Sequence, residues 1–125
     1  MKRGALAVAG LLGFTAVAFG AFGAHGLRGR LSPAMLEIYR TGALYHLVHA
    51  VAALGVALAG ERLRRGPMIL TLFTLGIIVF AGSLYALAIT GITALGAVTP
   101  LGGLLLLAAW ALVALEAVSA SKNAS

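Results

Sequence analysis

From Gly66 to Leu115 the chain runs 50 residues without a lysine, arginine, aspartate or glutamate. A water-soluble domain interleaves polar and apolar residues at the period of its helices or strands, because each element must show one side to water. A stretch this long without charge excludes that plan. One membrane crossing takes about 20 residues at about 1.5 Å each, so the stretch suffices for two. Gly4 to Leu27 and Thr41 to Gly60 are also uncharged, and each suffices for one. With 62% hydrophobic and 10% charged residues, where about 25% charged is usual, the chain reads as an all-α integral membrane bundle of four transmembrane helices. It forms a single domain over 1–125.

The four helices are expected at about 4–24, 33–59, 67–89 and 100–120. Pro33, Pro67 and Pro100 each fall where a first helical position belongs, since the missing N–H of proline is no loss there. Ser32 is placed to cap the second helix, and Gly60, Gly66 and Gly91 mark breaks. The basic segment RGRLSPAMLEIYR (28–40) is an extramembrane start to helix 2. The first apolar run, about 20 residues, exceeds the 7 to 15 of a signal-peptide core, so an uncleaved helix is expected.

Basic residues accumulate on the cytoplasmic side of a membrane protein. Four crossings put Lys2, Arg3, Arg62, Arg64, Arg65 and Lys122 on one side, and Arg28, Arg30 and Arg40 on the other. Both termini are therefore expected to be cytoplasmic. The net charge of +6 sits at the ends of apolar runs, where it meets lipid headgroups rather than nucleic acid. The expected partners are membrane lipids, with a homo-oligomer or a larger membrane complex also open. Small residues four apart (Ala16, Gly20 and Ala24; Gly82, Ala86 and Thr90) are expected where helices approach closely.

Depth along the helices singles out the polar side chains. His25 ends helix 1, while Tyr45, His46 and His49 form one patch on helix 2. Ser83, Tyr85 and Thr90 lie in the last turns of helix 3, and Thr99 opens helix 4. These share the outer half of the membrane, leaving Thr15, Thr71 and Thr74 to the inner half and Trp110 to packing. An ionisable group within a membrane helix is a candidate functional group, because hydrocarbon penalises it unless it is partnered. His25, Tyr45, His46, His49, Ser83, Tyr85 and Thr99 are the candidate ligand-binding residues. The histidines could equally brace the bundle by hydrogen bonds between helices.

No paired carboxylates, nucleophile with a base or phosphate-cradling glycine loop is present. No enzymatic activity, metal or cofactor is expected. A three-histidine metal site lacks an intramembrane carboxylate to orient it, and His25 lies too near the surface to serve as an axial haem ligand.

GAFGAHGL (20–27), YHLVHA (45–50), AGSLYALAITG (81–91) and LGAVTPLGGLLLLAAW (95–110) together resemble the YgdD/YwdK-like small membrane proteins, a family of unknown function related to the animal transmembrane protein 256 type. The likeness covers nearly the whole chain in order, with Ala81 a departure where serine or another small residue is the expectation. It implies a small multi-helix protein of the bacterial plasma (inner) membrane and implies no activity. The leading reading is an outer-half polar site for a small ligand, lipid or proton/ion. An assembly subunit of a larger membrane complex is the alternative, and a haem- or metal-binding protein is third.

Overall fold

The computed structural model describes residues 2–124, with side-chain surroundings from Arg3 to Ser119. Lys2 and Lys122, counted above for topology, have side chains outside the described ones. Four helices follow one another: α1 (Lys2–His25), α2 (Pro33–Ala59), α3 (Gly66–Thr90) and α4 (Thr99–Ala124). Each is long and apolar enough to cross a membrane. The chain is a four-span membrane protein.

The helix ends follow local chemistry. The Ser32 hydroxyl accepts the Met35 N–H (3.2 Å) and Pro33 opens α2. Gly91, at φ 73°, closes α3 with its N–H on the Leu87 carbonyl (2.8 Å), a left-handed position that glycine reaches without strain. Short 3₁₀ turns at Gly60–Arg62 and Thr93–Ala97 complete the connections.

Each helix packs on its neighbour in sequence, while α1 only brushes α3, and α1 and α4 share no packed interface among the described residues. The result is an open antiparallel row with α2 and α3 at its centre. The α3–α4 seam is zipped by four pairings: Phe73 with Trp110, Gly76 with Leu106, Phe80 with Gly102, and Ser83 with Thr99. On α3 these positions alternate three and four residues apart, the 3.5-residue period of antiparallel bundles.

That period corrects the expected glycine contacts. A Cβ built on Gly20 or Gly82 meets no atom within 4 Å. Strict four-residue steps rotate about 40° per step around a helix, so the stripes leave the seam. Ala16 is buried, but Ala24 is exposed and Gly20, Gly82 and Ala86 are half-buried. Close approach occurs elsewhere. A side chain on Gly23 would enter the Tyr39 ring, one on Gly76 the Leu106 side chain, and one on Gly102 the Phe80 backbone.

Glu116, which the sequence left without a role, ties the row at the other end. Its carboxylate is 8% exposed and accepts the backbone N–H groups of Arg64 (3.1 Å) and Arg65 (2.6 Å), just before α3 begins. The Arg65 guanidinium lies 3.8 Å from the same carboxylate and donates to the Ser119 hydroxyl. A negative charge at a helix N-terminus satisfies donors that the helix itself leaves unpaired.

Candidate functional site

His46 sits where three helices meet, 4% exposed. Its Nδ1 lies 2.9 Å from the Tyr85 hydroxyl on α3, and its Nε2 lies 3.1 Å from the Thr15 hydroxyl on α1. The protons can be assigned by counting donors. Tyr85 has no other hydrogen-bond partner among the described residues, so its phenol proton goes to Nδ1. Nε2 therefore carries the ring proton and donates to Thr15. The Thr15 hydroxyl in turn donates to the helical carbonyls of Leu11 (2.9 Å) or Leu12 (3.0 Å). His46 is a neutral imidazole with every polar atom used.

Aromatic rings enclose this chain of bonds. Phe19 stacks on Tyr85 with centroids 4.6 Å apart, and Tyr39 packs on Tyr85 at 4.8 Å. Tyr39, 1% exposed, donates its hydroxyl to the Phe19 carbonyl. Gly42 makes room for Tyr85, whose ring would lie 3.2 Å from an added Cβ.

His49, one turn further along α2 and 6% exposed, has different partners. Its Nδ1–H donates to the Tyr45 carbonyl (2.7 Å), and its Nε2 accepts the Trp110 indole N–H (3.0 Å) from α4. A carbonyl can only accept and an indole N–H can only donate, so the tautomer is forced. His49 is thus the Nδ1–H form and His46 the Nε2–H form. A metal at either imidazole would have to displace the tyrosine or the tryptophan from its lone pair.

The sequence-selected residues therefore form three arrangements rather than one. His46 joins Tyr85. Ser83 and Thr99 bond each other at 2.6 Å, with the Ser83 hydroxyl also near the Phe80 carbonyl. His49 joins Trp110. The patch expected of Tyr45, His46 and His49 divides there, because α2 packs on α1 and α3 and meets α4 only across a gap. Tyr45 turns outward, 41% exposed, with its ring against Phe80 (4.6 Å) and near-parallel to His49 (5.8 Å). His25, in the last turn of α1, is exposed and makes no side-chain hydrogen bond among the described residues.

Sequence reasoning missed Thr15, Tyr39 and the hydrogen-bonding role of Trp110. Their signal was available. Thr15 lies ten residues before the end of α1, about 15 Å along the axis, close to the level of His46. Trp110, about 16 Å into α4, is level with His49.

Between α2 and α4 the row leaves an open groove of about 830 Å³. Leu44, Tyr45, Val48 and His49 form one wall, Gly103, Leu104, Leu107 and Trp110 the other, and Phe80 of α3 the floor. The groove is apolar along its length. Its polar groups are the Tyr45 hydroxyl, which has no partner among the described residues, and the edge of the His49–Trp110 bond.

Four apolar spans in an open row, with a hydrogen-bonded interior and a groove facing lipid, define a small multi-pass membrane protein. Residues 19–103 match the family model described as "Protein of unknown function (DUF423)". The chain is 42% identical over 106 residues to the UPF0382 membrane protein YwdK of Bacillus subtilis (strain 168), covering 82% of this chain and 86% of that one. It is 40% identical over 111 residues to a UPF0382 membrane protein of Haemophilus influenzae, covering 88% and 90%. With the UPF0382 inner membrane protein YgdD of Escherichia coli (strain K12) it shares 38% identity over 120 residues, covering 94% and 91%. This chain belongs to that family, as the four quoted blocks imply. No solved structure matches it.

Proposed function

We propose that the chain is a bacterial plasma-membrane protein, with both termini cytoplasmic, whose α2–α4 groove holds a membrane amphiphile. The observation that carries the reading is the groove itself, an apolar cleft lined in part by Tyr45, whose hydroxyl has no partner among the described residues. An apolar chain or ring lies along Leu44, Val48, Leu104 and Leu107, and a carbonyl, ester or hydroxyl head meets Tyr45. Phe80 and Trp110 offer aromatic faces to such a head. The ligand is bound and not transformed, since no nucleophile with its base adjoins the groove. A proton- or ion-binding version draws less support, because both imidazoles are saturated by protein partners. The membrane assignment draws on the E. coli relative, which is called an inner membrane protein, and the orientation draws on the basic residues.

The test is to fill the groove. Gly103 has space for a side chain, its nearest neighbour being the Phe80 ring at 3.8 Å from an added Cβ. Native mass spectrometry of gently solubilised protein should find a bound small mass on wild type and none on Gly103→Leu, with no loss of thermal stability. The same mass on both proteins would move the ligand out of the groove. The alternative, an assembly subunit, is favoured by α1, which leaves Leu11, Phe14 and Val17 exposed beside open Gly10 and Gly13. A stoichiometric protein partner with no small mass would select it. For the orientation, a cysteine at position 95 should react with an impermeant thiol reagent in intact cells and one at position 64 should not. The reverse pattern would invert the topology.

A further inference from the structure

At the opposite end of the molecule the start of α1, the end of α2, the 60–66 connection and the start of α3 line a notch of about 770 Å³. Its deep wall is apolar, made by Val56 and Ala57 of α2 and Leu70 of α3, with Ala5 of α1 beside them. Its rim carries Arg3 from α1 and Arg64 from the connection, with Glu61 alongside. The Glu116 carboxylate explains why Arg64 faces the notch. It takes the backbone N–H groups of Arg64 and Arg65 and pairs with the Arg65 side chain, leaving the guanidinium of Arg64 outside that cluster. The Arg65–Glu116 contact is the one ion pair among the described residues, so neither Arg3 nor Arg64 is neutralised by a carboxylate. Arg62 adds a further exposed cation on the same connection.

We infer that this notch is a site for one anionic phospholipid. Two arginines from separate elements bracket a phosphodiester, for which the guanidinium fork is suited. The charge is complementary, with three arginines against Glu61. An apolar wall directly beneath the rim receives an acyl chain, which a soluble phosphate compound does not need. Basic pockets between membrane helices bind anionic headgroups on this principle. The site lies at the other end of the row from the head of the α2–α4 groove and does not depend on it.

The experiment uses the full-length protein in detergent, titrated with phosphatidylglycerol or phosphatidylcholine of the same acyl chains and followed by native mass spectrometry. Wild type should bind phosphatidylglycerol about tenfold more tightly than phosphatidylcholine, on the scale of roughly 1 kcal/mol per basic residue near an anionic lipid. The double variant Arg3→Gln/Arg64→Gln should lose that preference, whereas Arg28→Gln/Arg30→Gln, with the same charge removed from the other end, should keep it. All four positions are exposed, so both variants should fold. Equal loss in the two variants would reduce the effect to general surface charge and overturn the site. Equal binding of the two lipids by wild type would do the same. Displacement of phosphatidylglycerol by an equal concentration of glycerol 3-phosphate would overturn the acyl-chain half of the inference.

Discussion

His46 and His49 stand one turn apart on the same helix, and the two regions they define differ in almost every respect. His46 lies in a closed junction of three helices, walled by Phe19, Tyr39 and Tyr85. His49 backs onto a groove open to lipid, and its partner Trp110 is 44% exposed. Both imidazoles are saturated, but the first bonds two other helices while the second bonds its own helix and one other. Polar burial in hydrocarbon is tolerated when each donor and acceptor is satisfied, and this chain satisfies it by two routes. One route consolidates the fold, and the other leaves a surface that can still receive a ligand.

The largest expected effect comes from two adjacent glycines of α4, Gly102 in the closed α3–α4 seam and Gly103 on the wall of the groove. Leucine at 102 must push into the Phe80 backbone and should destabilise by about 3 kcal/mol. Leucine at 103 meets only ordinary contacts and should be neutral or stabilise by up to about 1 kcal/mol, from helix propensity. Thermal or denaturant unfolding in detergent measures both, and equal losses would erase the distinction between seam and groove. Next in size is His46→Phe, which removes bonds to α1 and α3 and should cost about 2 kcal/mol at roughly 1 kcal/mol per bond between helices. His49→Phe should cost about half of that, since one of its two bonds lies within α2. A larger loss at His49 than at His46 would reverse the comparison. Smallest is Tyr45→Phe, which should leave stability unchanged and weaken only the ligand retained by wild type.

The spans and their order were legible because uncharged runs and the three prolines report directly on membrane length and helix starts. Shared depth put His46, Tyr85, Ser83 and Thr99 in one layer, while the pairing of His46 with Tyr85 and of Ser83 with Thr99 came from the structure. Rotation about each helix was less legible. Residues three apart differ by about 60° around an α-helix, enough to point His46 and His49 at different neighbours once α2 lies mid-row. The same angular argument explains Gly20 and Gly82, whose four-residue stripes turn away from the contact lines of α1 and α3 and leave both without a close neighbour. The depth of Trp110 in α4 puts it level with His49, but depth alone does not say that its indole N–H reaches a ring nitrogen there. Glu116 looked isolated in sequence because the donors it satisfies are backbone groups some 50 residues away.

The central claim is that two neutral histidines on one helix hold opposite tautomers, one inside a closed three-helix junction and one at the edge of a groove. ¹⁵N chemical shifts of ¹⁵N-histidine-labelled protein in lipid nanodiscs, assigned by His46→Phe and His49→Phe, read this directly. The account predicts an Nε2–H imidazole at position 46 and an Nδ1–H imidazole at position 49. The same tautomer at both positions, or shifts averaged by exchange with water, would contradict it.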